Sequence, residues 1–154
     1  MPVARIFQIN ASTGGVPKLP LGRAEVTVDG LVGDAQNDLK HHGGPDRALC
    51  LYSLERILEL QAEGHPIYPG AAGENLTLSG LDWETMQPGL ILGLGQDVLI
   101  EIVSFTTPCG KIKSCFADGV PGRISQDDHP GWSRVYARVV QPGTLGVGDP
   151  VDIR

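Results

Sequence analysis

A cysteine set between a proline and a glycine, with a lysine two positions on, is the part of the sequence best suited to covalent or metal chemistry: Thr106-Thr107-Pro108-Cys109-Gly110-Lys111. Turn amides and a nearby cation both favour the thiolate, the form that attacks electrophiles or binds a soft metal. A Cys/His hydrolase would use the same thiol, although no feature marks which histidine would be its base. The other two cysteines read differently. Cys50 lies in an apolar stretch and reads as core filler, and Cys115, six residues beyond Cys109, matches no standard metal spacing.

A second loop, Lys40-His41-His42-Gly43-Gly44-Pro45-Asp46-Arg47, runs into an apolar stretch. Its two glycines permit positive φ or close approach of backbone to a ligand, and Pro45-Asp46 sets the exit turn. Adjacent histidines in an extended chain point opposite ways, so His41 and His42 are awkward partners on one ion, and a polar turn is the simpler reading. A third stretch, Gly73-Glu74-Asn75 after Pro69-Gly70-Ala71-Ala72, offers an amide that either recognises a heterocycle edge or caps a turn. Nucleotide-loop readings fail on context: there is no Walker lysine motif, and Gly93-Leu94-Gly95 is expected ahead of a strand rather than a helix.

These loops need a frame. Short apolar stretches bounded by Gly, Pro, Asn or Asp predict strands at Arg5 to Ile9, Ala24 to Val28, Ala48 to Tyr52, Asn75 to Leu78, Val98 to Phe105, Val135 to Val140 and Val151 to Ile153. Val98 to Phe105 is nearly apolar on both faces and is expected to be central and covered on both sides. The one strong helix spans Ser53 to Glu63, with Leu54, Ile57, Leu58 and Ala62 on one face, Ser53 as N-cap and Gly64 as stop. Shorter helical turns are expected after Pro108 and over Asp82 to Met86. Helices this scattered do not suit βαβ crossovers, so the expected fold is mainly β: one domain over 1–154, a closed or strongly bent antiparallel barrel with a few peripheral helices.

Composition narrows the function classes. The 154 residues include 21 glycines, 12 prolines and 8 aromatics, as suits a turn-rich domain. The net charge is −6, and no Lys/Arg cluster runs along a helix, so nucleic acid is not an expected partner. Between Ile57 and Gly110 there are seven acids and no Lys or Arg, which leaves the basic side chains to the two ends. Lys40 and Arg47 beside one loop, and Lys111, Lys113, Arg123 and Arg134 after the other, would suit a small anionic ligand if the fold brings them together. No apolar run reaches the roughly 18 residues of a membrane span, and the N-terminal residues lack the regions of a signal peptide, so no membrane is involved and the expected location is cytoplasmic.

The ordered set His42-Gly43-Gly44-Pro45-Asp46-Arg47-Ala48, Gly73-Glu74-Asn75-Leu76-Thr77, Pro108-Cys109, Gly131-Trp132 with Arg138-Val139, and Gly148-Asp149 resembles the MOSC domain, named after the C-terminal region of molybdenum cofactor sulfurases. The resemblance runs over almost the whole chain and points to the small stand-alone bacterial type. It implies a β-barrel-like fold and molybdenum cofactor (molybdopterin) chemistry, with Cys109 in the position that supplies a thiolate to molybdenum. His42, Gly43, Gly44, Asp46, Arg47, Glu74, Asn75 and Thr107 would line the cofactor pocket, and Lys111, Arg47, Arg123 and Arg134 would meet the anionic pterin phosphate. Some relatives reduce small N-hydroxylated substrates. Without the ferredoxin-like region of larger relatives, this chain would need a separate electron-donor protein. The resemblance also implies an alternative, a sulfur carrier holding a persulfide on Cys109 and served by a sulfurtransferase, without turnover of its own.

Overall fold

In the computed structural model, described over residues 3–12, 14–34 and 44–154, eleven strands form two sheets around one apolar core. They are β1 (Arg5–Ala11), β2 (Leu19–Leu21), β3 (Arg23–Thr27), β4 (Gly30–Leu31), β5 (Leu49–Ser53), β6 (Leu76–Ser79), β7 (Ile91–Leu94), β8 (Val98–Phe105), β9 (Val135–Gln141), β10 (Gly143–Gly146) and β11 (Val151–Ile153). The larger sheet has the order β11-β7-β8-β9-β5-β6-β1-β2, and the smaller one the order β10-β3-β4. Side chains from both meet in a single cluster that includes Ile6, Leu51, Ile100, Val135, Val26 and Leu145.

The mainly β expectation holds, with a few helices, but no sheet closes into a barrel among the described residues. The large sheet bends far enough to bring its ends together. Ile6 N donates to Asp149 O (2.9 Å), Gly148 N to Ile6 O (2.8 Å) and Val151 N to Ala4 O (2.9 Å), tying β1 to the approach to β11. The contact is one isolated bridge, Arg5 to Pro150, rather than a ladder. Pro150 has no N–H to contribute, which is one reason the seam stops there.

The sheet is not purely antiparallel either. β5 and β6 run parallel, and the helix α1 (Leu54–Ala62) connects them, so the chain contains a βαβ unit that the scattered helical signals hid. The helix start is as expected: Arg56 N donates to Ser53 Oγ (3.1 Å). Its end also matches, because Gly64 at φ 99° lets Gly64 N reach Gln61 O and His65 N reach Leu60 O. Its buried face differs. Ile57 and Leu60 are buried, whereas Leu58 is exposed, so the inward stripe is rotated from the predicted one.

β8 has the predicted bounds and lies inside the sheet between β7 and β9. Val98, Ile100 and Ile102 are buried, while Leu99, Glu101 and Val103 are only half-buried, so one face is covered more fully than the other. Four strands went unpredicted: β2, β4, β7 and β10, each short and interrupted by Pro or Gly. Gly93-Leu94 lies within β7 instead of preceding a strand. The two weaker helical signals are 3₁₀ turns, Trp83–Thr85 and Gly110–Cys115.

Candidate functional site

The site is organised by β9, which pairs with β8 on one flank and β5 on the other. Tyr136 stands opposite Ser104 of β8 and opposite Cys50 of β5. The ladder runs one step past β8: Thr106 N donates to Arg134 O (2.9 Å), and Ser133 Oγ donates to Thr106 O (3.2 Å). Pro108 then ends the run, since it has no N–H to extend the pairing. Cys109 follows directly, half-buried, at the start of the 3₁₀ turn Gly110–Cys115. That turn is anchored from below by buried Ile112 and Cys115, and Ile112 N donates to Cys109 O (3.2 Å). The Cys109 side chain caps none of the turn's amides, and Lys111 on the same turn is exposed.

Tyr136 links the predicted residues, although the sequence reading passed over it. The Arg47 guanidinium lies 5.5 Å from the centre of its ring. Burial pushes its hydroxyl up to about 12; Cys50 and Cys109 add to the rise, while Arg134 and Arg47 oppose it. One aromatic side chain therefore feels Cys109, Arg47 and Arg134 together. Its position two residues after Arg134 was the only sequence signal. Cys50 is buried at 3.9 Å from Thr106 Oγ1, and burial raises its thiol, as suits the core role expected of it. Cys115 is raised to about 11, again mainly by burial.

The other predicted residues fall into distinct groups. Gly44 has φ 81° and is exposed, as are Asp46 and Thr107, while His42 and Gly43 lie outside the described residues. Glu74 is completely buried: its Oε2 accepts from Thr77 Oγ1 (3.0 Å), and its Oε1 has no hydrogen-bond partner among the described residues. Burial raises its carboxyl, opposed by backbone amides, Thr77 and Arg134. Arg134, also buried, donates from Nη1 to Ala72 O (2.7 Å), and its Nε has no partner among the described residues.

Asn75 and Arg123 are engaged elsewhere. The Asn75 Oδ1 accepts from Cys50 N (2.9 Å), and its Nδ2 donates to Asp34 Oδ2 (2.8 Å) and Asn10 O (3.4 Å). This is neither of the roles read from the sequence: the amide caps no local turn but ties together segments 25, 41 and 65 residues away. Arg123 makes two hydrogen bonds to Glu63 and lies 4.1 Å from the centre of the Trp132 ring, whose other contact is Arg56 at 4.3 Å. It thus ties the 121–132 segment to α1. A buried ion pair that the sequence did not signal, Lys18 Nζ to Asp34 Oδ1 at 2.6 Å, completes the Asn75 cluster.

A mainly β chain with a thiol just past the end of β8 matches the MOSC domain model over residues 38–152, and the chain belongs to that family. It is 30% identical to the uncharacterized protein YflK of Bacillus subtilis over 90% of its length, spanning 62% of that relative, and 30% identical to protein YiiM of Escherichia coli over 96%, spanning 71%. The crystal structure of YiiM from Geobacillus stearothermophilus superposes with a TM-score of 0.78 at 27% identity, covering 98% of this chain and 75% of that one. Among the described residues, no helix is long and apolar enough to cross a membrane.

Proposed function

We propose that this chain binds the molybdenum cofactor, with Cys109 as the protein thiolate to molybdenum, and reduces small N-hydroxylated substrates with electrons from a separate donor protein. The observation that carries this reading is the half-exposed Cys109 side chain, free of capping duty, at the exit of β8. The donor set suits an anionic, sulfur-rich group: one soft ligand, with Arg47, Lys111 and Arg134 as nearby cations. When bound, the cofactor supplies the two-electron, oxygen-accepting chemistry of molybdenum.

The chain's own residues hold and orient. Arg47, stacked on Tyr136, and exposed Lys111 would neutralise the negative end of the pterin. Tyr136 keeps its proton at neutral pH, so it presents a neutral hydroxyl beside Cys109 rather than a second negative charge. The net reaction converts R–NHOH, two electrons and two protons into R–NH2 and water. The test is turnover of 6-hydroxylaminopurine or an amidoxime with a chemical donor, comparing wild type, Cys109→Ala and cofactor-free protein. Activity in wild type alone is expected. Activity that survives without cofactor overturns the reading, and cyanide-releasable sulfur on Cys109 in molybdenum-free protein would assign a sulfur-carrier role instead.

A further inference from the structure

Three buried side-chain atoms have no hydrogen-bond partner among the described residues, Glu74 Oε1, Arg134 Nε and Arg123 Nη1, and the first two are the deepest. Glu74 is fully buried and Arg134 nearly so, at 5% exposure. They belong to one neighbourhood. Arg134 Nη1 is fixed to Ala72 O at 2.7 Å, two residues from Glu74, and both charges act on the same three groups, Cys50, Tyr52 and Cys115. They nevertheless form no direct ion pair, since Lys18–Asp34 is the buried pair of this region. Leaving a buried carboxyl oxygen and a buried guanidinium N–H both unmet is costly, and native proteins fill such gaps with water or an ion.

We propose that Glu74 and Arg134 enclose an internal site for one small oxygen-bearing guest that bridges Glu74 Oε1 and Arg134 Nε. The donors define the guest. Oε2 already accepts from Thr77, so Oε1 is the oxygen left to the guest. The Arg134 Nε–H donates, so the guest must accept there, and at Oε1 it either donates to the carboxylate or accepts from the carboxyl proton. A water serves both states, whereas a small oxyanion fits only the protonated carboxyl.

A crystal structure of the full chain at about 1.5 Å tests this without any variant. In chloride buffer free of oxyanions, an ordered oxygen is expected within hydrogen-bond reach, about 3.2 Å, of both Glu74 Oε1 and Arg134 Nε. In a second crystal soaked in selenate, an anomalous peak at that position would identify an oxyanion as occupant, and its absence with the oxygen retained would identify water. A direct Glu74–Arg134 contact, or no density between them in either crystal, overturns the proposal.

Discussion

Two buried polar groups share the stretch from Ala72 to Thr77, and they are finished in opposite ways. In the first, Asp34 accepts from Lys18 Nζ, Ser12 N and Asn75 Nδ2, and Asn10 Nδ2 donates to Glu74 O and Thr77 Oγ1. Gly70, at φ 90°, lets this cluster close, because a Cβ there would come within 2.5 Å of Lys18 O. In the second, Glu74 Oε1 and Arg134 Nε are unmet among the described residues. Glu74 belongs to both, its backbone to the closed cluster and its carboxyl to the open one. The lesson is that buried polarity alone does not mark a site: a closed network holds the architecture, and an open one leaves polar atoms for a guest to meet.

Breaking the closed cluster should have the largest effect. Asp34→Ala strips the acceptor from a buried lysine, and urea unfolding should show a loss of about 3–5 kcal/mol. A loss below about 1 kcal/mol would mean that this cluster is no more structural than the open one. Arg123 sharpens the comparison, since it was expected beside the cofactor and is found bound to Glu63 and Trp132. Arg123→Ala should lower stability by roughly 1–2 kcal/mol, from the lost stacking and ion pair, and leave molybdenum loading as in wild type. Reduced loading in a folded variant would return it to the site.

A single satisfied bond sets the scale for the rest. Ser53→Ala, which removes the N-cap of α1, should lower the thermal midpoint in line with a loss of about 1 kcal/mol. The smallest effect is pH-dependent. The Arg123 guanidinium, by hydrogen bond first, holds the Glu63 carboxyl below its ordinary value. Its folded pKa is therefore lower than its unfolded one, so the stabilisation is fully present above the ordinary carboxylate range and is lost as pH falls through the folded value. Glu63 is 41% exposed, which limits the gain to roughly 0.5 kcal/mol. Wild type and Glu63→Gln should thus differ slightly at pH 7 and converge at low pH, and a gap that widens on acidification would contradict this assignment.

What could be read from the sequence follows the same division. Long apolar strands announce themselves, and β8 and α1 were found with their caps because period and capping chemistry are local. The parallel β5–β6 pairing and the two-residue β4 depend on partners distant in sequence, which no local pattern carries. Pro108-Cys109 was readable because turn chemistry and a thiol coincide there. Lys18–Asp34 was not, since a lysine after Val16-Pro17 looks like any surface charge until the fold buries it. Arg123 and Arg134 looked alike as basic residues near the Cys109 loop, and only their placement separates an arginine tied to Glu63 and Trp132 from one buried against Ala72 O.

The central claim, that Cys109 is the protein ligand to molybdenum, is tested most directly by the metal content of chains produced in a host that makes the cofactor. Wild type should hold close to one molybdenum per chain, and Cys109→Ala, folded to the same thermal midpoint, should hold almost none. Equal molybdenum in the two proteins, or none in either, would contradict the account.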